Sequence, residues 1–143
     1  MPRKMILQKK GSSKGYFIRG RVAIVNYSDL RTIAITKDLM LDTGFTGGIH
    51  IPIFHLSDAK LIGVEPRPSV IRLGGGRKEA DFVCLGHVEE IDGYVFPRPG
   101  IETEIHLHGN EQHGYVGLDV LKEWLTKFDG PKSVVSIFEY DDI

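Results

Sequence analysis

Short runs that alternate apolar and polar residues, separated by glycines, constrain the fold of this chain most strongly. The run from Tyr16 to Asn26 alternates in this way, and so does the run from Ile101 to His108. A period of two residues is typical of strands with one buried face. Most of the 17 glycines fall between such runs, where tight turns are needed. We therefore predict a mainly all-β fold, a closed or nearly closed β-barrel with one or two short helices.

Two segments predict the short helices. Pro52 suits the first position of a helix, and the apolar residues from there to Ile62 lie near one helical face. The second segment starts at Asp119, a good N-cap, and ends before Asp129. Its apolar stripe consists of Val120, Leu121, Trp124, Leu125 and Phe128.

Length and charge bound the class of protein. The 143 residues suffice for one core, and we predict a single domain of residues 16–143 after an N-terminal arm of residues 1–15. The arm is basic, so we expect it to be solvated, with Met5-Ile6-Leu7 as a candidate edge strand. A formal net charge of −1 gives no indication of binding to nucleic acid or to an anionic membrane.

The single cysteine bears on the cellular location. Cys84 permits no intrachain disulfide, which favours a reducing, cytoplasmic compartment. It lies within an apolar strand, so we expect a packed thiol rather than a nucleophile. No apolar run approaches the length of a signal peptide or a membrane span, so we predict no membrane association.

The segment from Leu41 to Gly48 is organised to present one acid. Apolar residues lead into Asp42, and Thr43 and Gly44 follow it before two further glycines. A carboxylate at the end of an apolar strand is costly to hold unless hydrogen bonds satisfy it. Gly44 can bring backbone N–H groups close to the carboxylate, and the hydroxyl of Thr43 can fix the turn. On these three residues alone, an ordinary Asp-Thr-Gly turn is an equally good interpretation.

The segments on either side of this acid predict further strands. Thr32–Thr36 is predicted as a strand that ends in a turn at Lys37-Asp38. Val70–Leu85 is predicted as a β-hairpin whose tip contains Gly74, Gly75, Gly76 and Arg77. This tip lacks the lysine spacing and the following helix of a phosphate-binding loop.

Three histidines raise the alternative of a metal site. His106 and His108 lie two residues apart on a predicted strand, which puts both rings on one face, and His113 follows. Glu102 and Glu104 are the obvious carboxylate partners. The strict alternation favours an exposed polar strand face instead, so we predict no metal site.

Two blocks of the sequence together resemble a known family. Leu41-Asp42-Thr43-Gly44 resembles the hydrophobic-Asp-Thr-Gly signature of aspartic peptidases. Tyr115-Val116-Gly117-Leu118-Asp119 resembles their second signature, in which two apolar residues and a glycine lead into a helix. The glycine-rich hairpin lies between the two, where this family carries its flap. The order and spacing are similar to the retropepsin-like, single-domain aspartic peptidases over almost the whole chain.

The resemblance implies a barrel of the acid-protease type that works as a homodimer. The family site has two aspartates, and this chain carries one Asp-Thr-Gly motif, so Asp42 of each subunit would be catalytic. The resemblance assigns Thr43 to hydrogen bonds across the interface and Gly44 to hydrogen bonds with the carboxylates. It assigns Gly117 to close packing behind the loop, and it implies that the N-terminal arm of residues 1–15 helps to form the subunit interface. The flap over the substrate would consist of Gly74, Gly75, Gly76 and Arg77.

The implied chemistry is the hydrolysis of peptide bonds in a peptide or protein substrate. Two carboxylates in contact share a proton, as is established for this family. One aspartate then acts as general base on a water and the other as general acid towards the carbonyl oxygen. This chemistry needs no metal or other cofactor. The alternative is a non-catalytic barrel of the same fold that binds peptides or serves as an assembly module.

Overall fold

Strands make up most of the computed structural model, which describes residues 4–25, 32–52, 67–72, 78–97, 102–107 and 112–139. In chain order the strands are β1 (Lys4–Lys10), β2 (Phe17–Val25), β3 (Thr32–Leu41), β4 (Ile49–Ile51), β5 (Arg67–Arg72), β6 (Lys78–Ile91), β7 (Tyr94–Val95), β8 (Thr103–Leu107), β9 (Gly114–Val116), β10 (Thr126–Asp129) and β11 (Val134–Glu139). In the same part of the chain a short helix, α1 (Leu118–Leu121), lies between β9 and β10.

Six of these strands close into a barrel. Their order is β2, β3, β9, β4, β8 and β6, and β6 then pairs with β2. The pairs β3–β9 and β4–β8 are parallel, whereas the other pairs in the barrel are antiparallel. Closure leaves no unpaired edge in the wall of the barrel. The predicted all-β barrel is therefore confirmed.

Apolar side chains from alternate strand positions form one core. In β2, Ile18, Val22 and Ile24 are at most 1% exposed and Arg19 is exposed, as the alternation predicts, but Ala23 between Val22 and Ile24 is buried as well. Full burial of one such side chain stabilises the folded state by about 1.5–3 kcal/mol. Other strands contribute further buried apolar residues to this core, among them Leu39, Ile49, Ile51, Ile91, Ile105 and Val116.

A second, three-stranded sheet packs against the barrel. Its order is β1, β11, β10, and Val135 and Ile137 of β11 belong to the same core as the barrel residues. A salt bridge also joins the two parts, since Lys9 Nζ of β1 lies 3.0 Å from Asp92 Oδ2 in the turn between β6 and β7. The terminal segments are therefore anchored by both apolar packing and charge.

The N-terminal residues form a regular strand. Strand β1 pairs with β11 from Lys4 opposite Glu139 to Lys10 opposite Val134, with a register shift between Met5 and Leu7. The edge strand expected at Met5-Ile6-Leu7 is confirmed, since β1 lies at the edge of its sheet. The boundary between an arm of residues 1–15 and a domain of residues 16–143 stays a prediction.

The turn predicted at Lys37-Asp38 is wrong. Both residues lie inside β3, which runs without a break from Thr32 to Leu41. Asp38 lies opposite Arg19 on β2, and the Arg19 Nη1 atom donates a hydrogen bond of 3.0 Å to Asp38 Oδ1. Arg19 and Asp38 therefore lie on the outer face of the β2–β3 pair, where a cross-strand ion pair accommodates them.

The helix predicted from Asp119 to Phe128 is also largely wrong. Helix α1 covers Leu118–Leu121, its N-cap is Gly117, and Asp119 lies in the first turn. Leu125 has a φ of 47°, which ends the helical turns, and Phe128 lies in β10. Pairing of β10 with β11 over four positions overrides the helical spacing of the apolar residues.

The helix predicted after Pro52 lies outside the described residues. Among the residues that the structure describes, no helix is long and apolar enough to cross a membrane.

Candidate active site

Asp42 lies in a loop between β3 and β4, residues 42–48. Its side chain is half-buried, whereas Thr43 and Gly44 are exposed. The Gly44 N–H donates a hydrogen bond of 2.9 Å to Asp42 Oδ1, and the Phe45 N–H donates one of 3.2 Å to the Asp42 carbonyl. The first of these bonds fixes the direction of the carboxylate, so the loop presents an acid at the surface.

Four backbone hydrogen bonds join this loop to the segment from Val116 to Asp119. The Asp42 N–H donates to the Val116 carbonyl at 2.9 Å, and the Gly117 N–H donates to the Gly48 carbonyl at 2.6 Å. The N–H groups of Leu118 and Asp119 donate to the carbonyls of Phe45 and Gly47, at 2.8 Å and 3.2 Å. Each bond contributes about 0.5–1.5 kcal/mol, so the second sequence block braces the first.

Gly117 permits this close approach because it has no side chain. A Cβ atom at this position would meet the Gly47 carbonyl oxygen, and it would lie 2.7 Å from the Phe45 carbonyl oxygen and 2.8 Å from Phe45 Cδ2. The backbone of Gly117 is extended, with φ −92° and ψ −179°, so the requirement for glycine is steric rather than conformational. The structure thus brings Asp42, Thr43, Gly44 and Gly117 together.

Two histidines lie behind the loop, on the outer face of the barrel. His50 and His106 are opposite each other on β4 and β8, and they are only 7% and 9% exposed. The ring of Phe45 stands edge-on to both, with centroid distances of 6.5 Å to His50 and 6.1 Å to His106. The exposed polar face predicted for β8 is therefore wrong at His106, because neighbouring strands and the Asp42 loop cover it.

Other ionisable groups give no metal centre in the described part of the chain. No group of three or more His, Cys, Asp or Glu side chains is placed to hold a metal ion there. His106 Nε2 lies 3.4 Å from Glu104 Oε2, and the His113 ring packs against Phe17. His108 lies outside the described residues.

The predicted flap is described only in part. Strands β5 and β6 pair antiparallel up to Arg72 opposite Lys78, which confirms the two arms of the hairpin. The tip residues Gly74, Gly75, Gly76 and Arg77 lie outside the described residues.

Cys84 is buried among the core residues of β6 and β8. Its Sγ atom donates a hydrogen bond of 3.7 Å to the Ile105 carbonyl, and burial raises the pKa of the thiol to about 12. A thiol with so high a pKa is not a nucleophile at neutral pH, so the prediction of a packed thiol is confirmed.

The sequence interpretation assigned no role to the rings of Phe45, His50 and Tyr115, although Phe45 lies in the Asp42 loop and contacts His50, which stacks on Tyr115. The available signal was local: an aromatic residue directly after Asp-Thr-Gly, and polar aromatic residues within the apolar strands β4 and β9. The proximity of His50 to Tyr115 depends on the antiparallel pairing of β4 with β9, which no local pattern indicates.

A closed β-barrel with an acid-bearing loop, braced by an apolar-glycine segment, defines an acid-protease type of fold. Among solved structures, a retropepsin-like aspartic protease from Rickettsia conorii is similar to this chain, with a TM-score of 0.56 and 14% sequence identity. The similarity covers 99% of this chain and 98% of that chain. No protein-family model matches the chain, and no curated protein matches it significantly. The chain therefore has a retropepsin-like fold.

Proposed function

We propose that this chain is one subunit of a homodimeric aspartic endopeptidase, in which Asp42 of each subunit supplies half of the catalytic dyad. The observation that carries the proposal is the Asp42 loop itself. A carboxylate is held by the Gly44 N–H on a loop that four backbone hydrogen bonds brace, with Thr43 exposed beside it. A two-fold axis next to such a loop would bring two identical acids into contact.

The chemistry of the proposal follows from that contact. Two adjacent carboxylates share one proton, so one is a base and the other an acid. The base removes a proton from a water as it attacks the peptide carbonyl, and the acid protonates the carbonyl oxygen. The apparent pKa values of such a dyad belong to the pair rather than to one residue. The β5–β6 hairpin, with the predicted tip at Gly74 to Arg77, would close over an extended substrate.

The test is cleavage of a broad peptide library between acidic and neutral pH by the purified protein and by Asp42→Asn. Asparagine keeps the shape of the side chain but cannot share the proton, so we expect a loss of at least about 100-fold in kcat/KM. The matched control is Asp38→Asn, which changes an exposed acid on β3 and should leave cleavage intact.

Absence of cleavage by a pure dimer, together with no binding of statine-type transition-state mimics, would refute the proposal. Binding of peptides without turnover would instead support a non-catalytic module with the same fold. A cytoplasmic location, predicted from the single cysteine, is part of the proposal, and cell fractionation tests it.

A further inference from the structure

We infer that Phe45 is a positioning residue for the proposed reaction, because its ring anchors the Asp42 loop to a row of rings on the outer face of the barrel. The row consists of Tyr115, His50 and His106. The inference rests on the proposed function for its effect on catalysis, but the anchoring itself can be measured without activity.

The row follows from the strand register. His50 on β4 lies opposite Tyr115 on β9 and opposite His106 on β8, so the three side chains are neighbours on one face. The rings of His50 and Tyr115 are stacked, with centroids 5.5 Å apart and planes 10° apart. Ile49 and Ile51, on either side of His50, point to the opposite face and are buried in the core.

Phe45 docks onto this row through two edge-on contacts. Its ring is 6.5 Å from His50 and 6.1 Å from His106, within the range in which aromatic pairs stabilise by about 0.5–1.5 kcal/mol beyond burial. Two glycines make room for the ring. A Cβ atom at Gly47 would lie 2.8 Å from Phe45 Cε1, and one at Gly117 would lie 2.8 Å from Phe45 Cδ2.

The backbone of Phe45 connects this anchor to the acid. Its N–H donates to the Asp42 carbonyl, and its own carbonyl accepts the hydrogen bond from the Leu118 N–H. A shift of the ring would therefore move both the loop that carries the carboxylate and its brace. In a site where two subunits must align their acids, a misplacement of about 1 Å can cost about 100-fold in rate.

The anchor is separate from the main core. Among the described residues, neither Phe45 nor Tyr115 belongs to the core cluster or packs against it as a partly buried apolar residue. Truncation of Phe45 should therefore loosen the loop and leave the barrel folded.

The kinetic test compares Phe45→Ala with Phe96→Ala in the full-length protein. Phe96 is a half-buried ring that packs against the core and contacts Tyr94 and Trp124, so the control removes a ring of the same size away from the Asp42 loop. For Phe45→Ala we expect kcat to fall by about 10- to 100-fold, with KM within about threefold and a displaced pH profile of kcat/KM. His106→Gln should show a smaller change of the same kind. A Phe45→Ala enzyme with the kcat and pH profile of the wild type would overturn the inference.

Amide hydrogen exchange tests the anchor independently of activity. The Leu118 and Asp119 amides donate to the loop carbonyls of Phe45 and Gly47, so we expect both to exchange at least about tenfold faster in Phe45→Ala and unchanged in Phe96→Ala. A wild type that cleaves no peptide defeats the proposed function but leaves this measurement in place. Unchanged exchange at both amides in Phe45→Ala overturns the inference even if the wild type is active.

Discussion

Replacement of Gly117 by alanine is expected to destabilise the folded chain, because the new Cβ atom has no space. It would lie 2.7 Å from the Phe45 carbonyl oxygen and closer still to that of Gly47, both of them backbone atoms. Ordinary van der Waals contact begins near 3.4 Å, so the loop has to retreat by about 0.7 Å or more. The backbone of Gly117 is extended, so alanine meets no conformational penalty there.

The magnitude follows from the contacts that the retreat weakens. Overpacking of a tight site costs about 1–3 kcal/mol. The hydrogen bonds from Gly117 to Gly48 and from Leu118 to Phe45 contribute about 0.5–1.5 kcal/mol each, and both lengthen. We therefore expect Gly117→Ala to lower the free energy of unfolding by about 2–5 kcal/mol, a large share of the total of about 5–15 kcal/mol.

The assay is urea unfolding, followed by the fluorescence of Trp124, which is 8% exposed in the folded chain. Protein concentration must be held fixed, because the proposed subunit pairing would contribute to apparent stability. Gly130→Ala is the matched control, since a Cβ atom there meets nothing within 4 Å, and it should change stability by less than about 0.5 kcal/mol. Gly93→Ala tests the backbone conformation alone, because Gly93 has a φ of 87° and a Cβ atom there meets nothing within 4 Å. This substitution should lower the free energy of unfolding by about 1–2 kcal/mol. A Gly117→Ala protein as stable as Gly130→Ala would refute the steric account.

Two further predictions concern the thiol and the turn between β6 and β7. Burial raises the pKa of the Cys84 thiol to about 12 from 9.0, so the native protein should resist alkylation at pH 8. The thiol of the unfolded chain ionises first, so the free energy of unfolding should fall as the pH rises from about 9 to about 12. Cys84→Ala should lack this part of the pH dependence in urea titrations. The Asp92 carboxylate accepts a hydrogen bond of 2.7 Å from the Arg19 backbone N–H and pairs with Lys9, so Asp92→Ala should lower the free energy of unfolding in urea by about 1–3 kcal/mol. Asp38→Ala breaks an exposed ion pair and should lower it by less than about 1 kcal/mol. Equal losses in the two variants would contradict this prediction.

The sequence predicts the barrel well because most of its strands have a local signature. The alternation in β2 and the short apolar run of β4 are visible without knowledge of any partner strand. The Asp42 loop and the Gly117 segment are also predictable, because their turn and glycine chemistry is local.

The sequence predictions are wrong where pairing between distant segments overrides the local pattern. Trp124 and Phe128 have helical spacing, but residues 126–129 pair with β11 and leave the helix with only four residues. His106 has the alternation of a solvated strand face. However, parallel pairing with β4 places His50 beside it, and the ring of Phe45 packs against it. Contacts between segments about 56 residues apart in sequence carry no local pattern, so the ring cluster behind Asp42 could not be predicted.

The central claim is that two copies of Asp42 make one site, and subunit mixing tests it most directly. Wild type and Asp42→Asn are mixed in equal amounts, allowed to exchange subunits and assayed for peptide cleavage at a concentration that saturates the dimer. If each site needs two Asp42 carboxylates, about one-quarter of the activity of the same total amount of wild type remains, because random pairing gives that fraction of intact dimers. If each chain works alone, about half remains, and that result would contradict the account.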